Sequence, residues 1–195
     1  MRLPQFRYEK GMPPTPRPGE FIALDLEIFG ADKNRLHRPE GEFAMLSIGY
    51  SDGAVYVITK EEDVQEALDI VYASGSSILV YHNAVFDIRQ LNRWADHPRG
   101  GTVWDTMLME QGLFGGYYTH FDLASLSARW LHLHMKKEVR ETFSSSDELT
   151  QEQIEYGAKD AYITVLCALK QAEYMQKIGD PTTYDRYAQT DMPMI

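Results

Sequence analysis

The chain has 195 residues, 44% of them apolar, with 29 acidic against 19 basic side chains and a net charge of −10 at neutral pH. That length and apolar content suit one domain with a sizeable core, and no uncharged apolar run is long enough for a transmembrane helix, so no membrane partner is expected. The acid excess argues against broad, nonspecific duplex binding, which depends on Lys and Arg neutralising phosphates, and favours a module of a larger assembly.

Residues 1–19 carry Pro4, Pro13, Pro14, Pro16 and Pro18 and no apolar core segment. They read as an extended leader or linker, not a secretory signal. Three strand-like runs follow, at 21–28, 43–50 and 54–58, and Ser51-Asp52-Gly53 supplies hairpin chemistry between the last two. This is an antiparallel meander. Residues 61–73 place Val64, Ala67, Leu68 and Val71 at helical spacing, Ser74-Gly75 stops that helix, and 77–81 is a fourth strand. A helix at 84–94 and a short fifth strand at 102–104 come next. The remainder is helical, broken near Gly115-Gly116 and across 141–150. Hairpin-linked strands followed by strand and helix in alternation predict an α/β domain with a mixed five-stranded sheet flanked by helices.

Three motifs carry chemistry. Asp25-Leu26-Glu27 closes an apolar strand, so the two carboxylates share one face of it. Such a pair repels itself unless a divalent cation lies between, and hard oxygen ligands are what Mg²⁺ and Mn²⁺ select. Asn83-Ala84-Val85-Phe86-Asp87 opens the helix after the fourth strand; Asn83 suits a turn, and Asp87 suits a first turn favoured by the helix dipole. Tyr156 and Asp160 lie four apart in a helix spanning 151–175, which puts a phenol beside a carboxylate. Thr150 and Gln153 form a capping box that sets the phase of that helix, and Ser146-Asp147 offers another N-cap.

Other residues have plainer readings. Asp105 is a cap for the helix starting at Thr106, with a supporting role near the site as the alternative. His132 and His134 lack nearby Cys or acid ligands for zinc. Cys167 sits among Val165, Leu166 and Leu169 and reads as core packing. As the single cysteine it forms no internal disulfide, and a reducing, cytoplasmic setting is the default. Residues 132–147 mix Lys136, Lys137, Glu138 and Arg140 with Phe143 and three serines, an exposed loop that either contacts a substrate backbone or is simply solvated.

In order and spacing together, Asp-x-Glu, Asn-x-x-x-Asp and Tyr-x-x-x-Asp resemble the DEDD exonuclease superfamily, tyrosine branch. Residues 103–108 and 121–126 resemble further steps of that frame, and the likeness covers roughly 20–177. The histidine branch fits less well, because the position five before Asp160 is Glu155. Thr190-Asp191-Met192-Pro193-Met194-Ile195 resembles the segment leading into the polymerase domain of family A DNA polymerases, so the proofreading domain of those enzymes is the nearest resemblance.

The resemblance implies a ribonuclease-H-like fold spanning 20–180, with 181–195 beginning a connection to a polymerase domain. It implies a 3′→5′ exonuclease using two ions of Mg²⁺ or Mn²⁺. Asp25, Glu27 and Asp160 would hold the first, Asp25 would bridge to the second, and Asp87 would hold the second partly through water. Tyr156 would orient the attacking water, and Asn83 would position the terminal nucleotide. His82, Leu26 and Ile28 complete the expected substrate contacts, the last two through backbone only, because they stand where the family commonly has hydroxyl residues. The expected partner is single-stranded DNA or a frayed 3′ end, with release of nucleoside monophosphates. A stand-alone ribonuclease-D-like enzyme acting on RNA is the first alternative, and an inactive binding module the second.

Overall fold

The computed structural model describes residues 3–30, 41–96, 102–135, 138–145 and 148–178. Six strands form one sheet: β1 (Arg7–Lys10), β2 (Phe21–Phe29), β3 (Glu42–Tyr50), β4 (Ala54–Ile58), β5 (Ile78–Tyr81) and β6 (Thr102–Asp105), in the spatial order β1-β4-β3-β2-β5-β6. The β2-β3-β4 meander is antiparallel, whereas β5 joins β2, and β6 joins β5, in parallel. The sheet is therefore mixed, as expected, with one strand more than the five read from the sequence.

The added strand comes from the proline-rich leader. β1 lies parallel to β4 at the sheet edge, Arg7 pairing with Ala54 and Lys10 with Val57. Its neighbours hold it there. Arg7 N–H donates to Gly53 O at 3.1 Å, the Tyr162 hydroxyl donates to Pro4 O at 2.7 Å, and the Tyr50 hydroxyl donates to Pro14 O. Gly53, at φ 91, lets the Gln5 carbonyl pass where a Cβ would stand. The leader is built onto the domain.

Among the described residues, five helices flank the sheet: α1 (Val64–Tyr72), α2 (Ala84–Leu91), α3 (Thr106–Phe114), α4 (Leu123–Leu131) and α5 (Gln151–Ile178). Short 3₁₀ segments stand at Glu61–Asp63 and Glu138–Ser145. The alternation of β2 divides them. Leu24, Leu26 and Ile28 enter one core with Val64, Leu68 and Ala84 from α1 and α2, while Ala23 enters another with Ile154, Ala158 and Ala161 from α5. Asp25 and Glu27 share the Ala23 face. That face is covered by the 28-residue α5, the longest helix described.

Two devices set the position of α5. The capping box forms as expected, Gln153 N–H donating to Thr150 Oγ1 at 3.2 Å and Thr150 N–H to Gln153 Oε1 at 2.8 Å. Toward the other end, buried Gln171 accepts from Trp104 Nε1 at 3.0 Å and donates to Thr106 O and Glu110 Oε2, both at 2.9 Å. Glu110 also receives Arg129 Nε and Trp130 Nε1, so its buried charge is paired and hydrogen-bonded across α3, α4 and α5.

The loop expected at 132–147 is partly ordered into core. Phe143 is buried and packs near Phe29 and Tyr156, with ring centroids 6.2 and 6.5 Å apart. Lys136, Lys137, Ser146 and Asp147 lie outside the described residues, as does the 181–195 segment. Cys167 is fully buried, and burial pushes its thiol up, consistent with packing. Among the described residues, no helix is long and apolar enough to cross a membrane.

Candidate active site

Ligand atoms of Asp25, Glu27 and Asp160 all lie within 4.8 Å of one another. The first two project from β2 on the α5 side, and Asp160 meets them from α5. The β2–β3 register shifts between Glu27, opposite Met45, and Ile28, opposite Phe43, leaving Ala44 as an extra residue. Such a bulge twists a strand locally and re-aims its side chains. Close approach of helix to sheet needs Gly157, since a Cβ there would run into Met45 Cε and stand 3.5 Å from Glu27 Cγ.

Asp87 reaches the same strand from the opposite side. It is buried in the first turn of α2, and its Oδ1 accepts Leu26 N–H at 3.0 Å. Burial first, and the charge of Asp25 second, push its carboxyl well above the usual carboxylate range, against the pull of that N–H. The charge of Asp25 thus opposes the ionisation of its neighbour Asp87. A donor set made only of carboxylate oxygens fits a hard divalent ion, and Asp25, Glu27 and Asp160 are the residues able to hold it.

Tyr156 sits one turn before Asp160 and is half-buried. Burial raises its phenol pKa far above the ordinary value, and the charges of Asp160 and Glu27 add to this, as does its hydrogen bond to Asp160. The hydroxyl keeps its proton at neutral pH. It is a donor there and not a base.

The turn that delivers Asn83 and Asp87 is organised by Asp105. One of its oxygens receives Met107 N–H at 2.9 Å and Leu108 N–H at 3.3 Å, capping α3, and also Asn83 N–H at 3.2 Å; the other receives Ala84 N–H at 2.8 Å. The cap is thus shared with a support of the site. Burial holds its carboxyl above the ordinary range even against those four donors.

Asn83 adopts a left-handed conformation, φ 71 and ψ 57, with no side-chain bond to its own helix, and its side chain is exposed. His82 is less open than expected, its Nδ1 lying 2.9 Å from Thr106 Oγ1. Leu26 and Ile28 turn their side chains away from the acids, as a backbone-only role requires. Both side chains are buried beneath α1 and α2 on the far face of the sheet, and Leu26 N–H is given to Asp87, so it offers substrate neither side chain nor amide. Period-2 alternation in β2 requires that outcome once Asp25 and Glu27 face α5.

The sequence reading missed Phe6, which lines a cavity of about 500 Å³ together with Tyr156 and Asp160. The signal was the apolar-polar alternation Phe6-Arg7-Tyr8-Glu9, short and hidden among prolines.

A mixed sheet with a partly buried acid cluster at its centre, facing a long helix that brings a tyrosine and a fourth acid, defines a ribonuclease-H-like nuclease domain. Residues 16–172 match the profile of the 3′-5′ exonuclease family, and the chain belongs to that family. Solved structures share the fold. Brucella melitensis NrnC superposes with a TM-score of 0.68 at 20% identity, over 89% of this chain and 83% of that one. The catalytic core of RRP6 from Trypanosoma brucei gives 0.65 at 16%, over 83% of this chain and 42% of its own. The EXO domain of Aedes aegypti Nibbler gives 0.64 at 16%, over 82% and 81%. NrnC has been solved with bound Mg²⁺ and bound to pGG. No curated protein matches the sequence.

Proposed function

We propose that this domain is a metal-dependent 3′→5′ exonuclease that removes nucleoside monophosphates from single-stranded ends. The observation that carries the reading is the meeting of Asp25, Glu27 and Asp160 within 4.8 Å. When bound, divalent cations lower the pKa of a coordinated water and stabilise charge on the phosphate oxygens and the leaving 3′ oxygen. The chain's own residues do the rest. Asp25, Glu27 and Asp160 would hold a first ion, and Asp87, whose carboxyl feels the charge of Asp25, would serve a second. Tyr156, protonated, orients the attacking water by hydrogen bonding. Asn83, exposed at the head of α2, positions the terminal nucleotide.

Single-stranded DNA and frayed 3′ ends are the first substrates, and proofreading beside a polymerase is the finer form of this reading, resting on the sequence resemblance. The second reading is short RNA. That NrnC, which shares the fold, binds pGG supports an oligonucleotide ligand, and contacts to the 2′ hydroxyl separate the two substrates.

A 5′-labelled single strand incubated with Mg²⁺ or Mn²⁺ should shorten stepwise from its 3′ end. Chelation, a blocked 3′ end and Asp25→Ala should each stop it. Turnover at the wild-type level in Asp25→Ala, or products cut from the 5′ end, overturns the assignment.

A further inference from the structure

The cavity beside the acids has a wall that the family match leaves out, since that match begins at residue 16 and the wall begins at Phe6. Tyr156 and Asp160 of the proposed site line the cavity. Phe6, Tyr162, Leu133 and Met135 give it aromatic and apolar sides. Phe6 is half-buried and firmly held: its ring stacks on Tyr8 at 5.7 Å and 28°, and meets Tyr162 at 5.3 Å and 54°. The strand pairing of β1 and the Tyr162 hydroxyl on Pro4 O keep the backbone on either side of it in place. The Lys159 ammonium, ion-paired with Glu155, hangs 5.9 Å over the ring.

A held aromatic and a nearby cation, in a cavity also lined by Asp160 of the proposed metal site, are the parts of a single-strand stacking platform. Glu152 and Glu155 also line this cavity, so its chemistry favours an uncharged base with N–H donors over a phosphate. We infer that Phe6 is a substrate-contacting residue supplied by the leader, its ring stacking on an unpaired nucleobase of the strand whose 3′ end lies at Asp25, Glu27 and Asp160. The inference rests on the exonuclease reading and assigns a specificity role to a segment outside the family frame. Stacking acts on binding, not on the chemical step, so KM carries the effect.

The test uses the full chain and a short single strand, intact or with one abasic site placed in turn at each of the first positions from the 3′ end. Phe6→Ala should raise KM about 10- to 100-fold, the scale for loss of one base-aromatic stack, with kcat within about twofold. Phe6→Trp should restore KM. On the strand lacking the stacked base, wild type and Phe6→Ala should have equal KM, whereas abasic sites elsewhere should preserve the difference. Should Phe6→Ala melt below the assay temperature, Phe6→Leu keeps the bulk without the aromatic face, and the abasic scan on the wild type needs no variant. An unchanged KM in a folded Phe6→Ala or Phe6→Leu, a penalty independent of every abasic position, or a wild-type scan flat within twofold overturns the inference. Because wild-type cleavage and its loss in Asp25→Ala are read in the same assay, failure of the subsite is distinct from failure of the exonuclease reading.

Discussion

Asp87 Oδ1 accepts the N–H of Leu26 at 3.0 Å, so an acid from the first turn of α2 is tied to the residue standing between Asp25 and Glu27. One hydrogen bond thus registers a helix against the strand that carries the acid pair. It also commits a carboxyl to a place where burial and the charge of Asp25 both disfavour its ionised form.

From this follows a trade between stability and activity. Asp87→Asn keeps an oxygen to accept from Leu26 while removing the charge, so without divalent ions the variant should melt at or above the wild-type temperature. Its activity should fall at least about 100-fold, the scale for losing a main electrostatic contributor. Mn²⁺ should raise the melting temperature of the wild type more than that of the variant. Equal metal-induced shifts together with full activity would remove Asp87 from the metal site.

Tyr156 and Asp160 share a helix face yet should fail differently. Tyr156→Phe retains the ring that packs near Phe143 and deletes only the donor. It should bind metal with near-normal affinity and lose roughly 10- to 1000-fold in rate. Asp160→Ala should lose both. Calorimetric metal titration beside single-turnover cleavage separates the two, and a Tyr156→Phe enzyme at full rate would leave that tyrosine as packing.

Asp105 touches no substrate in the proposed mechanism but receives four backbone N–H groups. Asp105→Ala removes a helix cap, about 1 kcal/mol, and leaves the buried Ala84 N–H without its acceptor, another ~1–3 kcal/mol. Urea unfolding should show a loss of about 2–4 kcal/mol, and cleavage should weaken as the Asn83–Asp87 turn loosens. A variant as stable as wild type would show that other acceptors replace it.

Gly49, on β3, faces α5 backbone. A Cβ there would stand 2.9 Å from Ala161 O and 3.0 Å from Ala161 C, contacts that only a backbone shift can relieve. Gly49→Ala should destabilise by about 1–3 kcal/mol. It should also lower kcat, because the displaced residue follows Asp160 directly. Thermal melting and single-turnover rates check both effects, and an unchanged rate would show that α5 yields without moving its acid.

The candidate site was legible in the sequence wherever local periodicity places a side chain. Asp25 and Glu27 are two apart on a strand, Tyr156 and Asp160 four apart on a helix, and the structure keeps both pairs together. Asp105 was read as a cap, and it is one; its grip on Asn83 and Ala84 depends on β5 and β6 lying side by side, which spacing along the chain does not encode. Leu26 and Ile28 were expected to offer backbone contacts. Their alternation with the acids already placed their side chains on the other face, but only the packing of α2 shows that Asp87 has taken the Leu26 amide.

The sequence by itself determined which residue types share a face, because φ/ψ periodicity is a local property of strands and helices. It also determined the family, through motif order. Tertiary structure decided the rest. The closing of Asp160 onto Asp25 and Glu27 spans more than a hundred residues and depends on how closely Gly49 and Gly157 let α5 approach the sheet. The leader became a sheet edge and a cavity wall because β4 had an unpaired side and Tyr162 a hydroxyl for Pro4, and partners so distant in the chain are chosen by burial and hydrogen bonding across the fold.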